Sequence, residues 1–91
     1  MINQIKTIIS PEILIKLGFT HQYDSEIENQ GTPDEFSYSV YVLKINDMYL
    51  DCTIEKSADL SPRKQVFLLN DLELNGRTIT IKDIQLLKEI L

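Results

Sequence analysis

The sequence predicts an α+β fold: a two-layer sandwich in which an antiparallel sheet of three to four strands carries an N-terminal and a C-terminal helix. Three observations lead there. Helix punctuation stands near both ends of the chain, at Ser10-Pro11 with Gly18 and at Thr80 with Asp83. Residues 36–56 alternate with the period of a half-buried strand. Inside that stretch Asn46-Asp47 supplies two residues that tolerate positive φ, which is what a short hairpin turn needs. The 91 residues are enough for one domain, taken as 1–91, and not for two.

From the start, Ile2, Ile5 and Ile8 predict a helical turn over residues 2–8, with an extended arm as the alternative. Ser10 caps the helix that follows, because its hydroxyl accepts a bond from an otherwise unpaired backbone N–H. Pro11 takes the first helical position, where a missing N–H costs nothing. Ile9 and Leu14 form a hydrophobic staple across the cap. Gly18 supplies the left-handed residue after the last turn, and Phe19 folds back onto Leu14, so residues 11–17 are helical.

Phe19, His21 and Tyr23 suggest a short strand, and residues 24–35, polar, acidic and broken by Gly31 and Pro33, read as an exposed loop. Residues 36–45 and 48–55 form a hairpin. A two-residue turn pairs Ile45 with Met48, Leu43 with Leu50 and Tyr41 with Cys52, all on one face, which is the check on register. The other face sets Lys44 beside Tyr49, Val42 beside Asp51 and Tyr38 beside Glu55, a mixed surface. Residues 57–64 read as a loop containing Pro62. Residues 65–69 read as a strand buried on both faces. Asn70-Asp71 bends or bulges the chain, with Leu72-Glu73-Leu74 as an extension, and Asn75-Gly76 is a turn. The closing helix is capped by Thr80, with Asp83 completing a capping box and Ile79 stapled to Ile84. Ile81, Ile84, Leu87 and Leu91 recur at helical spacing, leaving Lys82, Gln85, Lys88 and Glu89 toward water.

Nine basic residues stand against 14 acidic ones, for a formal charge of −5. Only Arg63-Lys64 places two cations side by side, so the charge pattern argues against direct nucleic-acid binding. No run of about 18 apolar residues is present, which argues against a membrane-spanning helix. The first residues carry no basic stretch followed by an apolar block, so a secretory signal is not expected. A lone Cys52 cannot build a disulfide framework, and the expected location is the cytoplasm.

His21 and Cys52 are the sole residues of their kinds, too few soft ligands for zinc. Asp24, Glu26, Glu28 and Glu35 fall at loop positions one, three, five and twelve of an EF-hand, but Asn29 takes the place where that loop needs glycine, so a solvated acidic loop is the better reading. The strand pattern turns Cys52 inward, away from use as a nucleophile. No serine elbow or phosphate-cradling glycine loop is present. Carboxylates are numerous, yet none is expected in an apolar setting that would raise its pKa. No cofactor, metal or catalytic residue is therefore predicted, and an enzyme is not expected. The tyrosines and phenylalanines suit sheet packing, but Tyr38 and Tyr49, on the mixed face among charges, also suit protein recognition.

The stretch from Ile9 through Ser10, Pro11 and Gly18 to Phe19, together with Ile81-Lys82-Asp83-Ile84-Gln85-Leu86-Leu87-Lys88, resembles a loose group of short proteins from Bacteroidota and their phages or mobile elements. The resemblance covers about a third of the chain. It implies a helix–hairpin–helix miniature domain and an accessory role, and it implies no functional residues.

The functional expectation is a small acidic interaction protein that binds a protein partner through its surface. The candidate contact residues are Asp24, Glu26, Glu28, Asp34, Glu35, Tyr38 and Tyr49. One form of it is an acidic decoy for a nucleic-acid groove in the partner. The alternative is a small-ligand site in a groove between helix and sheet, shared in one version across a homodimer. Monomer and homodimer both stay open, since an exposed sheet edge can pair with its own copy.

Overall fold

Capping, turn chemistry and strand alternation place each element before any long-range contact is considered. The computed structural model describes residues 8–74 and 79–90. In chain order these form α1 (Pro11–Leu17), β1 (Thr20–Asp24), β2 (Phe36–Ile45), β3 (Met48–Ser57), β4 (Pro62–Leu69), β5 (Leu72–Leu74) and α2 (Ile81–Ile90). The strands make one antiparallel sheet in the order β1-β2-β3-β4-β5, each strand paired with its sequence neighbour. The fold is α+β, as predicted, but with five strands rather than three to four.

Two turns account for the difference. Asn70 and Asp71 take φ of 48° and 69°, and that pair of left-handed residues closes a tight hairpin instead of a bulge. Leu72–Leu74 therefore folds back on β4, with Leu69 opposite Leu72, rather than extending it. The expected loop over 57–64 shrinks to 58–61, because β3 runs on to Ser57 and β4 already starts at Pro62. A proline is tolerated there as the first residue of its strand. The expected burial of 65–69 on both faces is also corrected: Phe67 is buried, while Val66 and Leu68 are half-buried.

The hairpin register is the one predicted, with Ile45 opposite Met48, Leu43 opposite Leu50 and Tyr41 opposite Cys52. Asn46 supplies positive φ, 55°, in the turn. One cluster joins that face to both helices: Leu14 and Leu17 of α1, Ile84 of α2, and Leu43, Leu50, Cys52, Ile54 and Phe67 of the sheet. Leu14, Leu50 and Ile84 are wholly inaccessible, so the space between the layers is filled with side chains.

Both helices carry the caps read from the sequence. The Ser10 hydroxyl accepts from Ile13 N at 3.3 Å. At the other end of α1, Gly18 N donates to Ile15 O and Phe19 N to Leu14 O, both at 3.0 Å, a Schellman pair. Gly18 has φ 108°, and a Cβ added there would stand 3.2 Å from Leu43 Cδ1. For α2, Asp83 N donates to Thr80 Oγ1 at 3.1 Å and Thr80 N to Asp83 Oδ2 at 2.9 Å, a reciprocal capping box. Two expectations for α2 change. Ile81 is 37% exposed, and the inward stripe is Ile84 with Leu87. Lys88 does not simply face water: its Nζ donates to Leu17 O at 2.8 Å, satisfying a terminal carbonyl of α1.

Ile8 packs against the core. The rest of the turn expected over 2–8, the Asn75-Gly76 turn and Leu91 lie outside the described residues. No described helix is long and apolar enough to cross a membrane.

Candidate functional site

Alternation gives the sheet two faces, and the helices cover one of them. No described element packs on the other. Its residues lie in cross-strand rows. One row runs Tyr23, Val40, Thr53, Val66, and the next runs Thr20, Val42, Asp51, Leu68, Glu73. The central members, Val40, Val42, Asp51, Thr53, Val66 and Leu68, are half-buried although no described element lies above them. Neighbouring side chains on a five-stranded surface supply that burial.

Asp51 is the exception in this stripe. Val42 flanks it on one side and Leu68 on the other. Partial burial raises its pKa from the ordinary aspartate value, and the negative charge of Asp71 adds to the effect. This corrects the expectation that no carboxylate stands in an apolar setting. Among the described residues no donor or cation bonds to the Asp51 carboxylate. Beside it the sheet dips into a trough of about 390 Å³ lined by Gln22, Val42, Tyr49, Asp51, Asn70 and Asp71.

Each wall has a local cause. Gln22 sits where the β1–β2 register slips between His21 and Tyr23, and such a bulge re-aims a side chain. The opposite wall is the β4–β5 turn. It is tied to the start of β3 by Tyr49 N donating to Asn70 Oδ1 at 2.8 Å and Asn70 N donating to Tyr49 O at 2.9 Å. Tyr49, 48% exposed, closes one end, and Lys44 Nζ lies 5.9 Å from its ring centroid.

The far end of the same face is built from other residues. Tyr38 meets Tyr23 edge-on, with ring centroids 6.3 Å apart. Its hydroxyl pKa is raised, first by Tyr23 and then by partial desolvation. Arg63 lies over the Phe36 ring at 5.2 Å, and its Nε donates to Glu55 Oε2 at 2.6 Å. That carboxylate is thus already neutralised, unlike Asp51.

The seven candidate contact residues do not form one patch. Tyr38 and Tyr49 share the uncovered face, but six residues of strand separate their rows, roughly 20 Å at about 3.3 Å per residue. Asp24 points the other way. It pairs with the buried Ser39, whose hydroxyl donates to Asp24 Oδ1 at 2.5 Å, and it also meets His21 Nε2 at 2.9 Å. The Ser39 bond first, and His21 second, hold its pKa below the ordinary value. Glu28 is bridged through its backbone to Phe36. Glu35 Oε1 accepts from Gly31 N at 2.9 Å, a bond that closes the loop. Glu26 and Asp34 are exposed on that loop, at the Tyr38 end.

Cys52 is inaccessible, and burial pushes its thiol up to about 12. Its Sγ accepts from Gln65 Nε2 at 3.2 Å. The same amide holds the backbone of Ile9, accepting from Ile9 N at 3.0 Å and donating to Ile9 O at 3.1 Å, which stitches the entry to α1 onto β4. Among the described residues no three His, Cys, Asp or Glu side chains come together as a metal-binding group.

Sequence reading missed Asp51, Asn70 and Asp71 as site residues. The register had already put Val42 beside Asp51. The missing information was β4, which sets Leu68 on the other side, and the tight turn that carries Asp71. No protein-family model, curated protein or solved structure matches the chain.

Proposed function

We propose that the chain is a small interaction module that binds another protein through the uncovered face of its sheet. The observation that carries this reading is the half-buried stripe of Val40, Val42, Thr53, Val66 and Leu68, interrupted by one acid, Asp51, that bonds to no donor among the described residues. A face of this kind has the composition of a recognition surface, with apolar residues at its centre and tyrosines and charges toward its ends. Its dimensions suit that use. Five strands at about 4.8 Å spacing span roughly 19 Å, and ten residues of strand run roughly 33 Å. That approaches the ~800 Å² which one partner contributes to a stable interface.

The test is comparative co-purification from native lysate. Thr53 sits at the centre of the stripe, between Val40 and Val66 on the face opposite the core cluster, so Thr53→Arg is expected to block the face, and circular dichroism checks that the variant still folds. The wild-type chain is expected to bring down a stoichiometric partner that the variant loses. Equal recovery by both chains, or no partner at all, overturns the reading.

A second reading, small-ligand binding, is favoured only by the trough, whose volume lies in the range of ligand sites. It belongs there rather than between helix and sheet, where Leu14, Leu50 and Ile84 occupy the space. A thermal-shift screen of metabolites tests it, because a ligand of the folded state raises the melting temperature.

A further inference from the structure

We propose that the trough beside Asp51 receives an arginine side chain from the partner protein. This deepens the docking reading and rests on it.

Charge complementarity is the first argument. Asp51 stands between Val42 and Leu68, with the Asp71 carboxylate as its neighbour and no cation bonded to it among the described residues. A partly desolvated acid facing a second acid is unfavourable alone, and an incoming cation relieves both penalties together. The contrast with Glu55, equally part of this face yet already held by Arg63 at 2.6 Å, identifies Asp51 as the open position. The net charge of −5 also steers basic surfaces toward the chain.

Shape is the second argument. The trough combines a carboxylate, an exposed tyrosine ring and an apolar floor at Val42. A guanidinium is flat, presents paired donors to a carboxylate and stacks on aromatic faces, while its methylene stem packs on apolar surface. A compact ammonium already lies near Tyr49, since Lys44 Nζ is 5.9 Å from the ring centroid, yet it forms no ion pair with Asp51. A protein segment rather than a free cation is the fitting source, because the trough opens onto the half-buried stripe, which the residues flanking the arginine would cover.

The experiment is an amide-resonance titration of the 15N-labelled full chain with the capped peptide acetyl-Val-Arg-Val-amide. The controls are the same peptide with citrulline, which keeps the shape and removes the charge, and free spermidine. Saturable shifts are expected at Val42, Tyr49, Asp51 and Asn70. Binding is expected to weaken at least tenfold with citrulline and at least tenfold in Asp51→Asn. Asp71→Asn, which keeps a residue tolerant of positive φ in the turn, is expected to weaken it severalfold and serves if the first variant misfolds. Equal binding of the citrulline peptide, undiminished binding to both variants, or shifts confined to Glu26 and Glu28 overturn the proposal. Stronger binding of spermidine than of the peptide overturns the protein source. If the arginine peptide fails while Thr53→Arg still abolishes co-purification, the docking face stands and only its cation chemistry falls. If Thr53→Arg changes nothing, the docking reading itself fails.

Discussion

The two faces of the sheet are carried by the same strands, one residue out of phase, and they obey different rules. On the covered face Leu43, Leu50, Cys52, Ile54 and Phe67 lose nearly all contact with water against α1 and α2. On the uncovered face Val40, Val42, Val66 and Leu68 stop half-way, with no described helix above them. The polar groups differ as well. Those turned toward the helices are saturated: Gln65 bonds to Ile9 and Cys52, and Ser39 bonds to Asp24. Asp51, in the stripe on the other side, has no such partner among the described residues. Polar groups that the fold buries are paired, whereas a group left at the surface of the uncovered face need not be.

A matched pair of truncations is expected to show the largest difference between the two faces. Leu50→Ala opens a cavity at a wholly inaccessible position and is expected to cost about 2–5 kcal/mol. Val66→Ala, on the uncovered face, is expected to cost less than about 1 kcal/mol, because water fills the space left behind. Urea unfolding of both variants measures the difference. Similar losses would mean that the second face is covered too.

Next in size is the polar seam under the helices. Gln65→Leu keeps the volume but strands the Ile9 N–H and C=O, both paired to this side chain, and Ile9 is only 4% exposed. Unpaired buried backbone groups make the expected loss about 2–3 kcal/mol, read again by urea unfolding. A loss within experimental error would show that residues 8–10 do not rely on β4. Gly18→Ala follows at about 1–2 kcal/mol, since alanine is strained at φ 108° and its methyl would press on Leu43 Cδ1 at 3.2 Å. Thermal melts of the variant against wild type check it.

Which of these features the sequence disclosed follows from how local their causes are. Ser10, Pro11 and Gly18 act within a few residues, so α1 was legible to the residue. The 43–50 and 41–52 pairings needed only a two-residue turn and strict alternation, so the hairpin register was legible too. The fifth strand was not, because nothing in the letters Asn70-Asp71 distinguishes a bulge from a turn with both residues left-handed. Gln65 was invisible as a structural residue, its partner Ile9 being 56 positions away. The site was half legible. Tyr49 and the Val42–Asp51 neighbourhood came from the hairpin, whereas Leu68 and Asp71 arrived with strands whose pairing no periodicity reveals. The acidic loop, prominent as a run of letters, is largely occupied with its own closure through Glu35 and Gly31.

The smallest expected effect is the one that separates the faces most cleanly. Asp51 has its pKa raised in the folded chain, by desolvation first and by Asp71 second, relative to about 3.9 in an unfolded chain. The folded state therefore holds this proton more tightly than the unfolded state does. Above the folded pKa the ionised group opposes folding; the penalty fades as the pH falls through the folded value and is gone below the unfolded one. Asp51→Asn is thus expected to raise the melting temperature near pH 7, and the gain should close by about pH 3, where the native carboxyl is neutral as well. Asp24 carries the opposite sign. Its pKa is lowered by Ser39 and His21, so its contribution is present above the unfolded value and lost as pH falls through the folded one. Replacing Asp24 with Asn should lower the melting temperature near pH 7, with that loss also closing in acid. Paired melts at the two pH values therefore give opposite signs for the two acids. A destabilised Asp51→Asn would show that the carboxylate is already satisfied in the free chain and that the trough awaits no cation.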